Sequence, residues 1–176
     1  SDLAGAFLAT EGTAVAQGSD GTREIPAADF FQGMYATALE PGELLTRVEV
    51  PAISADATGA YAKKASPASG YPVVGVAAEV HTDGETVESA RVAANNVLDH
   101  AVRLTSTEDA LEGEALTADT VEDAAEIAAD DLDEMMMMED IEASPEYRAQ
   151  LTRAYTERAL TQCVEELGGV PASAAD

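Results

Sequence analysis

Residues 71–94 read YPVVGVAAEVHTDGETVESARVAA, and the fold class turns on them. Tyr71–Val80 is a nearly continuous apolar run rich in valine, which reads as a buried strand. Asp83-Gly84 is a hairpin turn signal, and Val87–Ala94 returns with alternating charge. Just upstream, Gly59–Lys64 also has strand character and stops at Ala65-Ser66-Pro67. The expectation is three antiparallel strands.

From Asp99 the texture becomes helical. Asp99 or His100 leads into Val102 and Leu104, and Glu108–Leu111 ends at Gly113. A second helix is expected from Thr117 or Asp119 through Val121, Ala124, Ala125, Ile127, Ala128 and Leu132. The last helix has the clearest start: Ser144 as N-cap, Pro145 at the first helical position and Glu146 in the first turn. Tyr147, Leu151, Ala154, Tyr155, Ala159, Leu160, Val164 and Leu167 share its apolar face, Gly168-Gly169 and Pro171 end it, and Ala172–Asp176 reads as a frayed tail. Helices on one face of an antiparallel sheet make an α+β fold.

Upstream of the sheet, Leu3, Phe7 and Leu8 are spaced for a short helix capped by Ser1 or Asp2. Ala14–Ala16 and Thr22–Ile25 read as a hairpin around Gly18–Gly21. Residues 29–51, DFFQGMYATALEPGELLTRVEVP, then join two unlike halves. Phe30 and Phe31 are an aromatic anchor, Pro41-Gly42 a turn, and Val48 and Val50 alternate with charges in a strand that Pro51 stops.

Composition narrows the function. With 46% hydrophobic residues in 176, the chain holds enough apolar surface for a core. No run approaches the roughly 18 apolar residues of a membrane span, and the first residues lack the pattern of a signal peptide, so the cytoplasm is the expected location. Cys163 is the sole cysteine, which excludes an internal disulfide and, with two scattered histidines, the usual zinc sites. Against 34 acidic residues stand 9 basic ones, a net charge of −25, with Lys63 and Lys64 the only lysines. Such a surface repels nucleic acid phosphates and anionic membranes. Because the acids are spread along the chain as well as gathered in residues 108–142, they suit a high-salt, halophilic cytoplasm, where screening relieves self-repulsion. The expected signature is a melting temperature that rises with KCl; a flat response would exclude that reading.

Catalytic constellations are lacking: the chain has no GxSxG, HExxH, P-loop or GxGxxG. Carboxylate pairs carry little information in so acidic a sequence. His81 reads as a turn residue and His100 as a surface or capping residue. Met135–Met138 is expected to fill an irregular apolar groove.

One ordered set of motifs stands out. It comprises Gly21-x-Arg23-x-Ile25-Pro26, Asp29-Phe30-Phe31-x-Gly33, Thr37-x-Leu39, Glu43-Leu44-Leu45, Val48-x-Val50-Pro51, Ala60-Tyr61-x-Lys63, Glu108-x-x-Leu111-x-Gly113 and Ser144-x-x-Tyr147-Arg148. Together they resemble the FAD-binding medium subunit of the molybdenum hydroxylases, the family of aerobic carbon monoxide dehydrogenase, with xanthine and aldehyde dehydrogenases as relatives.

The resemblance implies that residues 1–52 are the C-terminal part of the second FAD-binding lobe and 59–170 the flavoprotein C-terminal domain, with the glycine-rich pyrophosphate turns in a part preceding Ser1. It implies an oxidoreductase subunit in which FAD relays electrons from iron–sulfur clusters to an external acceptor. The FAD site is incomplete within these residues, and no catalytic acid, base or nucleophile is required of them. A molybdenum-binding large subunit and an iron–sulfur small subunit are the implied partners. By position, Asp2 matches the aspartate that hydrogen-bonds the cofactor's hydroxyl-rich linker, besides its reading as an N-cap. Leu45 matches a leucine near the isoalloxazine ring, besides its reading as core. Lys63, next to Lys64, matches a lysine whose charge suits the anionic reduced ring. Pro67 and Tyr71 stand where relatives commonly carry arginine and aspartate. Phe30, Phe31, Tyr147 and Arg148 are expected to be structural. The alternative is a non-catalytic subunit-docking module that no longer binds FAD; a cation-buffering acidic domain is a third.

Overall fold

The computed structural model describes residues 2–167. The chain begins α1 (Asp2–Ala9), β1 (Thr13–Gly18), β2 (Gly21–Pro26), α2 (Ala27–Phe30), β3 (Phe31–Gly33), β4 (Ala36–Thr37) and β5 (Leu44–Glu49). It continues β6 (Ala57–Ala65), β7 (Pro72–Thr82), β8 (Val87–Asn95), β9 (Val102–Arg103), α3 (Thr105–Leu111), α4 (Ala118–Glu126) and α5 (Pro145–Glu166). The strands form sheets of three (β2-β1-β5), two (β3-β4) and four (β6-β7-β8-β9), all antiparallel.

The central sheet has four strands where three were expected. Val102 and Arg103 pair with Ala94 and Ala93 as a short fourth strand, so Asp99 and His100 do not open a helix. α3 starts only at Thr105, and its Glu108 is buried because its carboxylate accepts the Val92 N–H at 2.8 Å and binds Arg103 through both oxygens. The register with β8 thus captures residues whose local pattern suited a helix start.

β7 is a continuous apolar run because both its faces are covered. Val74, Val76, Ala78 and Val80 share one hydrophobic cluster with Ala90, Val92 and Ala94 of β8, with α5 on β7, α3 on β8 and α4 packed on α3 and α5. Ala77 and Ala93 point the other way, where α1 lies across β7 and β8. Helices were expected on one face only; the second is covered by an element from the other end of the chain.

α5 starts as its sequence specifies, with the Ser144 hydroxyl accepting the Tyr147 N–H and Pro145 in the first turn. Its 22 residues extend about 33 Å. The buried face centres on Leu151, Tyr155, Ala159, Leu160 and Cys163, and Tyr147 falls outside it, exposed. Arg148 is the larger surprise at 1% exposure: its guanidinium donates to the carbonyls of Val73 and Asn96 and to Asp140 Oδ2 at 2.6 Å. It stitches α5 to β7 and to the residue that follows β8. α4 takes Thr117 as its cap but stops at Glu126, with residues 127–131 in turns and a bend at Leu132. Of the four methionines only Met137 is buried; Met135 and Met136 are exposed, which corrects the expected groove-filling run. Ser1, the glycine–proline stop at 168–171 and the tail lie outside the described residues.

The N-terminal hairpin forms in the expected register, with Ala14, Ala16 and Ile25 buried beside Phe7 and Phe30. Phe7, Phe30 and Phe31 meet edge to face, with ring centroids 5.2–6.1 Å apart, which confirms the aromatic anchor. Arg23 holds Glu43 through two hydrogen bonds of 3.0 and 2.6 Å and donates to Ala38 O at 2.8 Å. That fork pins the turn around Gly42, whose φ of +89° suits glycine.

Candidate functional site

Antiparallel register places Lys63, Gly75 and Asn95 in one cross-strand row and Tyr61, Ala77 and Ala93 in the next, both turned toward α1. Asp2, in the first turn of α1, reaches over them. One carboxylate oxygen accepts from the Tyr61 hydroxyl at 2.7 Å and the other from Lys63 Nζ at 2.8 Å. Lys63 also donates to Gly70 O at 3.1 Å, which ties the 66–71 loop to the same group.

Close approach of helix and sheet requires two glycines. A Cβ on Gly75 would lie 2.1 Å from the Tyr61 hydroxyl oxygen, and one on Gly5 would lie 2.5 Å from Asn95 Oδ1. Their absence lets Tyr61 lie down across the sheet and lets α1 approach Asn95. Asp2 and Lys63 remain reachable, with 41% and 30% of their side-chain surfaces exposed. Partial burial opposes ionisation of Asp2, but the Lys63 and Tyr61 hydrogen bonds and the lysine charge prevail and hold its pKa below the ordinary value. Burial, reinforced by Asp2, pushes the Tyr61 phenol well above its ordinary value, so it remains a donor.

A second group of charges fixes the other end of α1. Glu11, at φ +49°, accepts from Arg91 Nε at 2.9 Å and lies 3.8 Å from Arg103, which itself holds Glu108. The Arg91 hydrogen bond is the chief reason that the Glu11 pKa is lowered. Carboxylates thus tie both ends of the helix to the central sheet.

Of the three residues singled out from sequence, the structure joins Asp2 and Lys63. Lys64 is solvent-exposed, so the neighbouring lysines have different surroundings. Leu45 pairs with Ala16 on the three-stranded sheet, is 42% exposed and belongs to neither hydrophobic cluster among the described residues. Its reading as core is therefore corrected. Sequence reasoning gave no role to Tyr61, Asn95 or Glu11. Tyr61 had a signal, since it lies two residues before Lys63 and period-two alternation puts both on one face; Asn95 and Glu11 had none.

The arrangement is a carboxylate acceptor and an ammonium on an open ledge where α1 meets the central sheet. It can accept from hydroxyl groups and offset a negative charge. Residues 59–163 match the family profile described as CO dehydrogenase flavoprotein C-terminal domain. The chain belongs to that flavoprotein family. Residues 1–53 match a second profile, FAD binding domain in molybdopterin dehydrogenase, so the chain covers the end of the FAD-binding domain and the C-terminal domain of a molybdenum hydroxylase medium subunit.

Among the flavoproteins of this family, the carbon monoxide dehydrogenase medium chain of Hydrogenophaga pseudoflava is 31% identical over 87% of this chain and 52% of its own length. The glyceraldehyde dehydrogenase medium chain of Sulfolobus acidocaldarius is 28% identical over 92% and 56%. A solved structure of Hydrogenophaga pseudoflava carbon monoxide dehydrogenase superposes with a TM-score of 0.84 at 31% identity, covering 93% of this chain and 56% of that one. The chain spans about half the length of the relatives it matches.

Proposed function

We propose that the chain is the distal part of the FAD-binding lobe and the C-terminal domain of a flavoprotein subunit in a cytoplasmic molybdenum hydroxylase. It works with a molybdenum-binding large subunit and an iron–sulfur small subunit. FAD, when bound, takes electrons from the iron–sulfur clusters and passes them to an external acceptor. The observation that carries this reading is the Asp2–Lys63–Tyr61 ledge, where one family-matched segment meets the other.

The residues fit the group. The Asp2 carboxylate is ionised and partly open, as an acceptor for a hydroxyl-rich linker must be. Lys63 supplies a positive charge that favours a reduced, anionic ring, and Tyr61 fixes Asp2 from below. Leu45 would contribute apolar contact from the neighbouring sheet.

An affinity-tagged copy purified from its native source tests this. The expected result is co-elution with a large and a small subunit, containing molybdenum and iron and releasing about one FAD per chain on denaturation. A tagged chain that elutes without molybdenum or iron would overturn the assignment. Molybdenum and iron without FAD would favour the docking-module alternative.

A further inference from the structure

Tyr61 reaches Asp2 through a gap that the central sheet leaves for it. Its cross-strand partner is Ala77, yet its hydroxyl lies over Gly75, in the next row on the same face, where an added Cβ would come within 2.1 Å of the phenol oxygen. The ring therefore leans along the sheet into the row of Lys63, Gly75 and Asn95. Asn95 Nδ2 stands 3.5 Å from the hydroxyl, at the limit of hydrogen-bond range. Any side chain at position 75 would close the gap.

Tyr61 and Lys63 divide the Asp2 carboxylate between them. The phenol donates to Oδ1 at 2.7 Å, and Lys63 donates to Oδ2 at 2.8 Å while also donating to Gly70 O. A carboxylate held by both oxygens keeps its plane, and each oxygen retains a lone pair for a further donor. The division also has an electrostatic side. Asp2 is the one ion-pair partner of Lys63 among the described residues, and the phenol dipole offsets part of the charge with which Asp2 cancels that of the lysine.

We propose that Tyr61 is a positioning residue of the flavin ledge: its hydroxyl holds Asp2 in the orientation that meets the cofactor's hydroxyl groups and keeps the Lys63 charge available to the reduced ring. This rests on the reading above and deepens it. Tyr61 acts through Asp2 and needs no contact with the flavin. It also joins the two family-matched segments, since Asp2 belongs to the first and Tyr61 to the second.

Tyr61→Phe in the tagged complex purified from its native source, with FAD supplied in excess, tests this, because it removes one oxygen atom and leaves the ring in place. The midpoint potential of the bound FAD should become more negative, since Asp2 then cancels more of the Lys63 charge. The dissociation constant for FAD should rise about threefold to tenfold, the scale of one hydrogen bond. Asp2→Asn should move the potential the opposite way, and adding Tyr61→Phe to it should change neither quantity further. Tyr147→Phe, on the exposed part of α5, should match wild type. Gly75→Ala, which displaces the phenol without removing it, should shift the potential as Tyr61→Phe does and carries the same test if that variant does not assemble. Unchanged potential and affinity would overturn the proposal, as would an equal shift in the Asp2→Asn background, which would reduce Tyr61 to packing. A wild-type complex with molybdenum and iron but no FAD would overturn the reading above and this inference with it; wild-type FAD binding with a silent Tyr61→Phe defeats the inference alone.

Discussion

The four-stranded and three-stranded sheets solve the same problem with different completeness. In the first, β7 is flanked by β6 and β8 and covered on both faces, by α5 on one and α1 on the other, while α3 lies on β8 and α4 on α3 and α5. In the second, Ala14–Ala16 of β1 are buried while β5 lies open along its whole length. Both contain apolar, strand-forming residues, so composition does not separate them. The difference is what each has to pack against: the central sheet gets its second cover from α1, whereas β5 has none among the described residues.

The contrast would be broken most strongly at Arg148. Arg148→Ala should destabilise the chain by about 2–4 kcal/mol in urea unfolding, because the carbonyls of Val73 and Asn96 and the partly exposed Asp140 lose a shared partner. A loss below 1 kcal/mol would mean that α5 is held by apolar packing alone. Gly75→Ala probes the α1 face and should cost about 1–3 kcal/mol through overpacking against Tyr61. It should also speed amide exchange in α1 while leaving α5 protected; equal loosening of both would show that the two faces are not separable.

Asp2→Asn sharpens the comparison by the smallest margin, about 0.5 kcal/mol, since the Lys63 pair is partly exposed. Its pH dependence is the stronger signature. The folded-state pKa of Asp2 is lowered, so its contribution is present above the unfolded carboxylate value and lost as pH falls through the folded one. The stability gap between wild type and Asp2→Asn should therefore be constant at neutral pH and close in acid. A gap that widened in acid would contradict the assigned partners.

Much of this architecture was legible in the sequence because it rests on local chemistry. The 71–94 hairpin follows from a valine-rich run and Asp83-Gly84, and the α5 start from Ser144-Pro145-Glu146. β9 was not legible, since Val102 and Arg103 become a strand only by pairing with Ala94 and Ala93. Nor was the buried role of Arg148, whose partners lie 8, 52 and 75 positions away. For the candidate site, resemblance supplied Asp2, Leu45 and Lys63. Only the register showed that Asp2 and Lys63 meet, that Tyr61 completes them and that Leu45 stands on another sheet.

By itself the sequence determined the strands and helices whose signals are periodic or capped, the acidic surface and, through ordered motifs, the family. These depend on neighbours within a few positions or on residue identity alone. Tertiary structure decided that α1 crosses to the central sheet, that Lys63 meets Asp2 while Lys64 faces solvent, and that β5 lies open. Each of those outcomes depends on which distant surface a segment finds, and hydrophobic burial is non-directional until register and packing fix it.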